Sequence, residues 1–408
     1  MTTLIGYLGI DAAKTFHVLC VKDANKRSLI PSLTINDDSD GYDRLRQCLN
    51  ALKEKHAISV FRAGVEATGT YHLRLVEQLR QWNDVTVTII NPLQTSHYLK
   101  SDLRRASTDK TSAEIIAMYL VEKMPVPTHF QNKDYQTAKH LAKHLSGLIK
   151  QKTANINRLR ESVALLWPEF ERKYNNFNTL QVLALLTIAQ TPQQAKDLDW
   201  NAIKKVTVHG QQYTLRSNFI ADIQTLLTVS QPRFIQLSLE PVIRSLAEQI
   251  LFLLKQIDTI TDQLKQLFTD KITDGGGQQQ PLLLTIVGVG EISAMVFTAS
   301  IGDVNRFRSE KQLKAYFGVN SRVRQSGTSI HGLGYIQKKG SSLVRFYLFN
   351  DILSMIRIKR HPIAIFYKRL VDRGKPKLVA LVACMGKLVG IMYAMLKSQT
   401  PFSFNYGK

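Results

Sequence analysis

Three acidic residues stand at points in the sequence where a carboxylate would be held rigidly. Asp11 ends an apolar, β-rich run, Glu66 ends a second such run, and Asp109 opens a helical pattern. Carboxylate oxygens are the ligands that hard cations such as Mg²⁺ prefer, and a mixed sheet would bring the ends of its strands together. The three acids are therefore a candidate metal site, Asp11, Glu66 and Asp109. The alternatives are an aspartate in an ordinary turn at position 11 and a helix N-cap at position 109.

A second group of reactive side chains lies in a glycine-rich, basic stretch at residues 321–345. Ser326 precedes Gly327 and follows two arginines, so its hydroxyl could attack phosphorus with positive charge nearby. A serine needs activation, and His331 is the one candidate close in sequence. The residues alone favour phosphate binding by this loop over a nucleophilic serine. The basic residues predicted to bind nucleic acid here are Arg322, Arg324, Lys338, Lys339 and Arg345.

Two other segments are predicted to contact nucleic acid. Three basic residues, Arg104, Arg105 and Lys110, surround Asp109. Further along, Gly288 and Gly290 stand before a helix of small residues, an arrangement that resembles a helix-hairpin-helix turn. Such a turn lets backbone N–H groups approach phosphate oxygens, although a tight turn between packed helices has the same pattern.

Only a sheet would bring the candidate metal ligands together, and the pattern of residues 1–132 predicts one. The predicted strands are Leu4–Asp11, Phe16–Val21, Leu29–Ile35, Ser59–Glu66 and Val85–Ile90. The first three form a meander, and helices separate the others. A mixed sheet covered by helices follows from this order.

The middle of the chain carries a heptad pattern. Eight apolar residues step by three and four, mostly Ile at a and Leu at d: Ile243, Leu246, Ile250, Leu253, Ile257, Ile260, Leu264 and Leu267. This favours a two-stranded coiled coil, either between protomers or as a hairpin within the chain. A glycine- and glutamine-rich linker follows, so the predicted division is 1–132, 133–272, linker 273–280 and 281–408.

The charge of the chain predicts a polyanionic partner. The net charge is +22, and residues 301–408 hold 20 Lys and Arg against four acids, or +16. Three scattered cysteines indicate a reducing compartment without disulfides or a zinc site. No signal peptide is expected, and the apolar run Leu378–Leu396 contains Lys387, which favours a buried helix over a membrane span. These features predict a cytoplasmic location, with no membrane partner.

Two blocks of short motifs resemble the transposases of bridge-RNA-guided insertion sequences, which are related to the pilin-gene DNA invertase of the Piv type. The first block contains GID at 9–11, VEATG at 65–69, NP at 91–92 and TDK at 108–110. The second contains TIVGVG at 285–290, GD at 302–303, Phe307, Gly318, SG at 326–327, KG at 339–340 and Arg345. Each motif is weak alone, but their order and spacing are specific.

The resemblance implies a fold and a function. It implies an α/β RuvC-like (RNase H-like) N-terminal domain with an Asp-Glu-Asp-Asp metal site, an α-helical coiled-coil middle region and a mainly α-helical C-terminal transposase domain. Asp11, Glu66 and Asp109 would bind Mg²⁺, and Ser326 would form a covalent phosphoserine link to DNA. The implied partners are a non-coding bridge RNA, double-stranded donor and target DNA, and further copies of the chain in a dimer or tetramer.

One position departs from the family pattern. The fourth acid is expected three residues after Asp109, one helical turn on, and this chain has Ser112 there. A neutral hydroxyl supplies no charge, so a second cation should bind more weakly. Glu114 is a poor substitute because it points elsewhere on the helix. The alternatives to an RNA-guided recombinase are a RuvC-like nuclease that uses activated water, an invertase without guide RNA, and a nucleic-acid scaffold with a decayed metal site.

Overall fold

The computed structural model describes most of the chain in two compact units, residues 1–130 and 131–408. The described residues are 4–67, 71–101, 109–128, 130, 132–231, 238–272, 279–320, 324–326, 330–332, 336 and 340–404. Each unit is considered by itself.

In the described residues, the first unit is a five-stranded mixed sheet with helices, as the sequence predicts, and this arrangement is consistent with a RuvC-like domain. Its order is β3-β2-β1-β4-β5, with β1, β2 and β3 antiparallel and β1, β4 and β5 parallel. The elements are β1 (Leu4–Ala12), β2 (Phe16–Lys22), β3 (Ser28–Asn36), α1 (Ser39–His56), β4 (Ile58–Glu66), α2 (His72–Arg80), β5 (Val85–Ile90), α3 (Pro92–Ser101) and α4 (Asp109–Lys123).

The two faces of the first sheet are covered differently, because successive residues of a strand point to opposite faces. Leu8 and Ile10 of β1 are fully buried in a core with Leu45 and Leu49 of α1. The other face of the sheet packs against α4. A β-carbon at Gly9 would overlap backbone atoms of Ala113 and Ala117 in that helix, so glycine is what allows α4 to touch the strand.

Where the structure describes it, the second unit is helical apart from short strand pairs. Its elements are α5 (Lys133–Leu166), α6 (Pro168–Lys173), α7 (Leu180–Ile188), α8 (Pro192–Lys196), β6 (Lys205–Val208), β7 (Gln211–Thr214), α9 (Ser217–Val229), α10 (Glu240–Asp270), α11 (Gln279–Leu284), α12 (Glu291–Ile301), α13 (Glu310–Phe317), β8 (Arg324–Ser326), β9 (Ile330–Gly332), α14 (Ser342–Met355), α15 (Pro362–Asp372) and α16 (Lys377–Ser398).

The heptad residues lie on α10, which packs against α5 of the same chain. Asn155 Nδ2 of α5 donates to Gln249 Oε1 of α10 over 3.1 Å, while Ala142, earlier in α5, shares a core with Leu264, later in α10. The two helices are therefore antiparallel, which matches the hairpin alternative. The coiled coil between protomers stays a prediction.

The C-terminal helices form one hydrophobic core together with the nearby ends of α5 and α10. The predicted linker falls partly outside the described residues, at 273–278, and its last residues begin α11, where the Gln279 side chain is buried. Ten of the 22 residues of α16 are buried, and nine of these lie in this core, among them Cys384 and Leu388. Among the described helices, α16 alone is long and apolar enough to cross a membrane, and its burial supports the predicted core helix.

Candidate active site

Two of the three predicted acids end neighbouring strands of the first sheet. β1 and β4 are parallel, and Ile10 pairs with Val65. Asp11 and Glu66 are the next residues along each strand, and both are half-buried. The strand ladder therefore sets the two carboxylates side by side at one edge of the sheet, as the sequence predicts.

The carboxylate of Glu66 is held by a helix that the sequence analysis did not predict, α3. Asn91 Oδ1 accepts from the Leu93 amide over 2.9 Å and so starts α3. One turn later, Thr95 Oγ1 lies 3.1 Å from Glu66 Oε2 and 2.9 Å from the carbonyl oxygen of Pro92. Thr95 is 4% exposed. Sequence reasoning missed Thr95, although the Asn-Pro helix start could have pointed to it.

The third predicted acid, Asp109, is the first residue of α4, and its side chain lies outside the described part of the structure. The helix itself contacts β1 at Gly9, two residues before Asp11, so the start of α4 belongs to the same side of the sheet. Ser112, one turn into α4, is half-buried. Within the described residues, no three His, Cys, Asp or Glu side chains form a cluster suited to a metal ion. The oxygen donors Asp11 and Glu66 fit a hard cation, and the complete site stays a prediction.

Of the other charged residues near the start of α4, the structure describes the side chain of Glu114. The Glu114 carboxylate forms an ion pair with Lys22 Nζ at 3.0 Å, so it points away from the predicted fourth-acid position, as expected. Arg104 and Arg105 lie outside the described residues, as does the side chain of Lys110.

In the second unit, Ser326 is the last residue of a short strand. It pairs with Ile330 across the β8–β9 hairpin, and Arg324 pairs with Gly332. The described part of this hairpin is its backbone. Arg322, Lys338 and Lys339 lie outside the described residues.

Two glycines and an arginine hold together the two ends of the segment that carries the hairpin, Gly318 at one end and Gly340 at the other. Gly318 ends α13 with φ of 69°, a left-handed conformation that favours glycine. A β-carbon at Gly340 would overlap the backbone of Tyr316 and Phe317, so the two ends of the segment are in direct contact. Arg345 Nη1 donates to the carbonyl oxygens of Phe317 and Gly340, at 3.2 and 2.7 Å. Arg345, predicted to bind nucleic acid, thus joins α13 to α14 through this nitrogen.

A cationic environment surrounds Tyr316, which lies next to Phe317 at the end of α13. Its hydroxyl hydrogen-bonds the side chains of Lys139 and Arg306, and the Arg306 guanidinium lies 4.6 Å from its ring centre. Burial raises the pKa of Tyr316, but Lys139 and Arg306 outweigh burial and lower it below its usual value. Burial lowers the pKa of Lys139. Sequence reasoning missed this group because Lys139 is far away in the chain.

The predicted phosphate-binding turn has partners inside the protein. Gly288 has φ of 98°, and a β-carbon there would lie 2.7 Å from Met355 Cγ, so the fold itself requires this glycine. The Gly290 amide and Ser293 Oγ both donate to Asp351, the latter over 2.9 Å. Burial raises the pKa of Asp351 to about 7. The Asp351 carboxyl group therefore occupies the start of α12, and a DNA phosphate would have to compete with it.

Comparisons with known proteins agree with the two-block arrangement of motifs. A family model described as Transposase (DEDD_Tnp_IS110) matches residues 8–168, and one described as Transposase IS116/IS110/IS902 family matches residues 280–368. The chain belongs to the IS110/IS116 family of transposases. It is an enzyme of DNA recombination and transposition, since both matching family models are described as transposases.

Relatives along the full length include invertases as well as insertion-element proteins. The pilin gene-inverting proteins of Moraxella bovis and Moraxella lacunata are 26% and 25% identical, over 97% of this chain and 97% of theirs. An uncharacterized protein of insertion element IS116 from Streptomyces clavuligerus is 22% identical over 97% of this chain and 96% of its own. The middle helices thus belong to the shared length as well.

Proposed function

We propose that this chain is an RNA-guided recombinase of an insertion sequence, which cuts and rejoins donor and target DNA through a phosphoserine at Ser326. The observation that carries the proposal is the pairing of Asp11 and Glu66 at one sheet edge, in a chain whose two family matches contain both the acids and the serine. A nuclease that uses activated water needs the acids alone, whereas the Ser-Gly motif adds a nucleophile.

The proposed reaction is a transesterification. The Ser326 oxygen forms a bond to the scissile phosphorus, one P–O bond to deoxyribose breaks, and the freed sugar oxygen takes up a proton. A sugar hydroxyl of the other DNA then attacks the phosphoserine and releases the serine. The number of phosphodiester bonds is conserved, so no external energy source is required.

Each group of residues has a distinct task in this proposal. Asp11, Glu66 and Asp109 would hold Mg²⁺, which when bound supplies positive charge to a phosphate oxygen. Thr95 fixes the orientation of the Glu66 carboxylate. Arg345 and the glycine contact hold together the base of the segment that carries Ser326.

Guidance by RNA and assembly into a dimer or tetramer extend the proposal. A structured RNA would select donor and target by base pairing, so few side chains need to read bases. The +16 charge of residues 301–408 suits the phosphates of both nucleic acids. Synapsis of two DNA segments requires several protomers.

An invertase without guide RNA is the second candidate. The full-length match to two pilin gene-inverting proteins favours it specifically. A recombination assay with and without the RNA flanking the element separates the two: inversion or insertion that proceeds equally after ribonuclease treatment would support the invertase.

The test of the phosphoserine is a denaturing gel of protein incubated with labelled donor and target DNA, element RNA and Mg²⁺. Label should remain attached to the wild-type protein and disappear with Ser326→Ala. The matched control is Ser329→Ala in the same segment, which should keep the adduct. Free, cut DNA from both wild type and Ser326→Ala would instead establish hydrolysis by activated water and contradict the proposal.

A further inference from the structure

An unexplained glycine interrupts one exposed face of the long helix α5. Gly147 lies inside this 34-residue helix, where glycine is less favourable than alanine because it loses more backbone freedom on folding. A β-carbon at Gly147 would meet no described atom within 4 Å. The φ angle of Gly147 is not positive, so its backbone conformation is one that other residues also adopt. Within the described structure, therefore, neither packing nor backbone conformation requires glycine at this position.

The surface around Gly147 is a depression with a consistent chemistry. Its volume is about 490 Å³, and it is lined by His140, Lys143, His144, Gly147, Leu148 and Gln151. Five of these six residues are exposed, Leu148 being the half-buried one. The lining offers cationic and hydrogen-bonding groups and no acid. We refer to it as the α5 depression.

The charge of the surrounding helix extends this pattern. Between Asp134 and Glu161, the chain has six Lys and Arg, two His and no acid. Lys143, Lys150 and Arg158 are exposed along about 22 Å of helix, at 1.5 Å per residue. A second copy of this helix would bring like charges together, so self-association through this face is disfavoured. A polyanion fits it.

We infer that the α5 depression binds the phosphodiester backbone of a nucleic acid, with Gly147 allowing the backbone to approach the helix closely. The inference rests on the proposed function, since it assumes a nucleic-acid substrate or guide, and assigns part of its binding to the middle of the chain. Lysine ammonium and histidine N–H groups bind phosphate oxygens, and a side chain at position 147 would hold the phosphates away from them. The residues of the α5 depression belong neither to the sheet edge that carries Asp11 and Glu66 nor to the segment that carries Ser326.

The experiment measures binding and stability on the same full-length variants. Fluorescence anisotropy with two labelled probes, a duplex DNA and an RNA hairpin, gives affinity as a function of salt in EDTA, which prevents cleavage. Gly147→Ala should raise the midpoint of thermal unfolding yet weaken binding at least threefold. Lys143→Ala should weaken binding and reduce the slope of log K against log salt by about 0.9 for a duplex.

Two controls separate this effect from general ones. Gly386→Ala, in α16, also adds a methyl group in a helix where no described atom lies within 4 Å, and it should stabilise the protein without changing affinity. Lys255→Ala removes an exposed lysine from α10 and should leave the salt slope unchanged. An effect confined to one probe supports the inference and identifies the nucleic acid.

Three results would overturn the inference. Binding unchanged in Gly147→Ala and Lys143→Ala, with wild type binding normally, would reject the α5 depression and leave the proposed function intact. A lower unfolding midpoint for Gly147→Ala would show that the fold needs this glycine. Absence of wild-type binding to either probe would contradict the proposed function as well.

Discussion

The acidic edge and the Ser326 segment position their reactive groups by different means. Asp11 and Glu66 stand at the ends of paired strands, so backbone hydrogen bonds fix their spacing. Ser326 stands on a short hairpin, and contacts at the base of its segment, between Gly318 and Gly340, hold that segment closed. A ladder tolerates changes to one side chain, whereas a single close backbone contact does not. The Ser326 segment should therefore be more sensitive to small substitutions than the strand ends that carry Asp11 and Glu66.

The largest expected effect comes from Gly340→Ala. The added β-carbon would overlap the backbone of Tyr316 and Phe317, and forcing extra volume into a packed site costs about 1–3 kcal/mol of unfolding free energy. Separation of the two ends should also abolish the Ser326 adduct. Thermal unfolding and the adduct gel check both effects, with Gly386→Ala as the matched control. An active, equally stable Gly340→Ala protein would show that the close contact of Gly340 with the end of α13 has no role.

The same comparison explains which features were predictable from sequence. Periodic strands and their terminal acids predict Asp11 and Glu66 side by side, because parallel strands in one sheet have a fixed register. Thr95, which binds Glu66, was missed because its role depends on how α3 leaves the sheet. The environment of Tyr316 depends on Lys139, a contact between residues far apart in sequence, and no local pattern indicates it. Regular hydrogen bonding is thus readable from sequence, and single tertiary contacts are not.

The substitution Ser112→Asp tests the predicted metal site at the edge that carries Asp11 and Glu66. Ser112 lies one turn into α4, where the family pattern has its fourth acid. An added carboxylate should strengthen Mg²⁺ binding by about tenfold, or ~1.4 kcal/mol, because it contributes a full negative charge to the predicted site. Calorimetric titration measures this directly, and adduct formation at limiting Mg²⁺ should rise in parallel.

Ser112→Asn is the matched control for this prediction. It has nearly the same shape as aspartate without the charge, so its affinity for Mg²⁺ should stay near that of wild type. Equal affinity for all three proteins would mean that position 112 does not face the cation, and the Asp-Glu-Asp-Asp pattern would not apply to this chain.

The last prediction concerns stability alone, at Asp351, which ties the start of α12 to α14. Its Oδ2 is buried without a hydrogen-bond partner among the described residues, and burial raises its pKa to about 7. The folded protein therefore binds a proton that the unfolded chain releases near pH 4. The stabilisation is complete below about pH 4, and unfolding free energy falls by about 1.4 kcal/mol per pH unit up to about pH 7.

Asp351→Asn should remove this slope, because an amide is neutral at every pH in the range. Its oxygen can still accept from Ser293 Oγ, so the start of α12 keeps one of its contacts. Chemical denaturation from pH 4 to pH 8 compares the two proteins, and their difference should grow in favour of the variant as pH rises. Parallel curves would show that Asp351 is ionised in the folded state. An ionised Asp351 would then compete with phosphate for the Gly290 amide at neutral pH, which argues against the predicted contact of Gly290 with DNA.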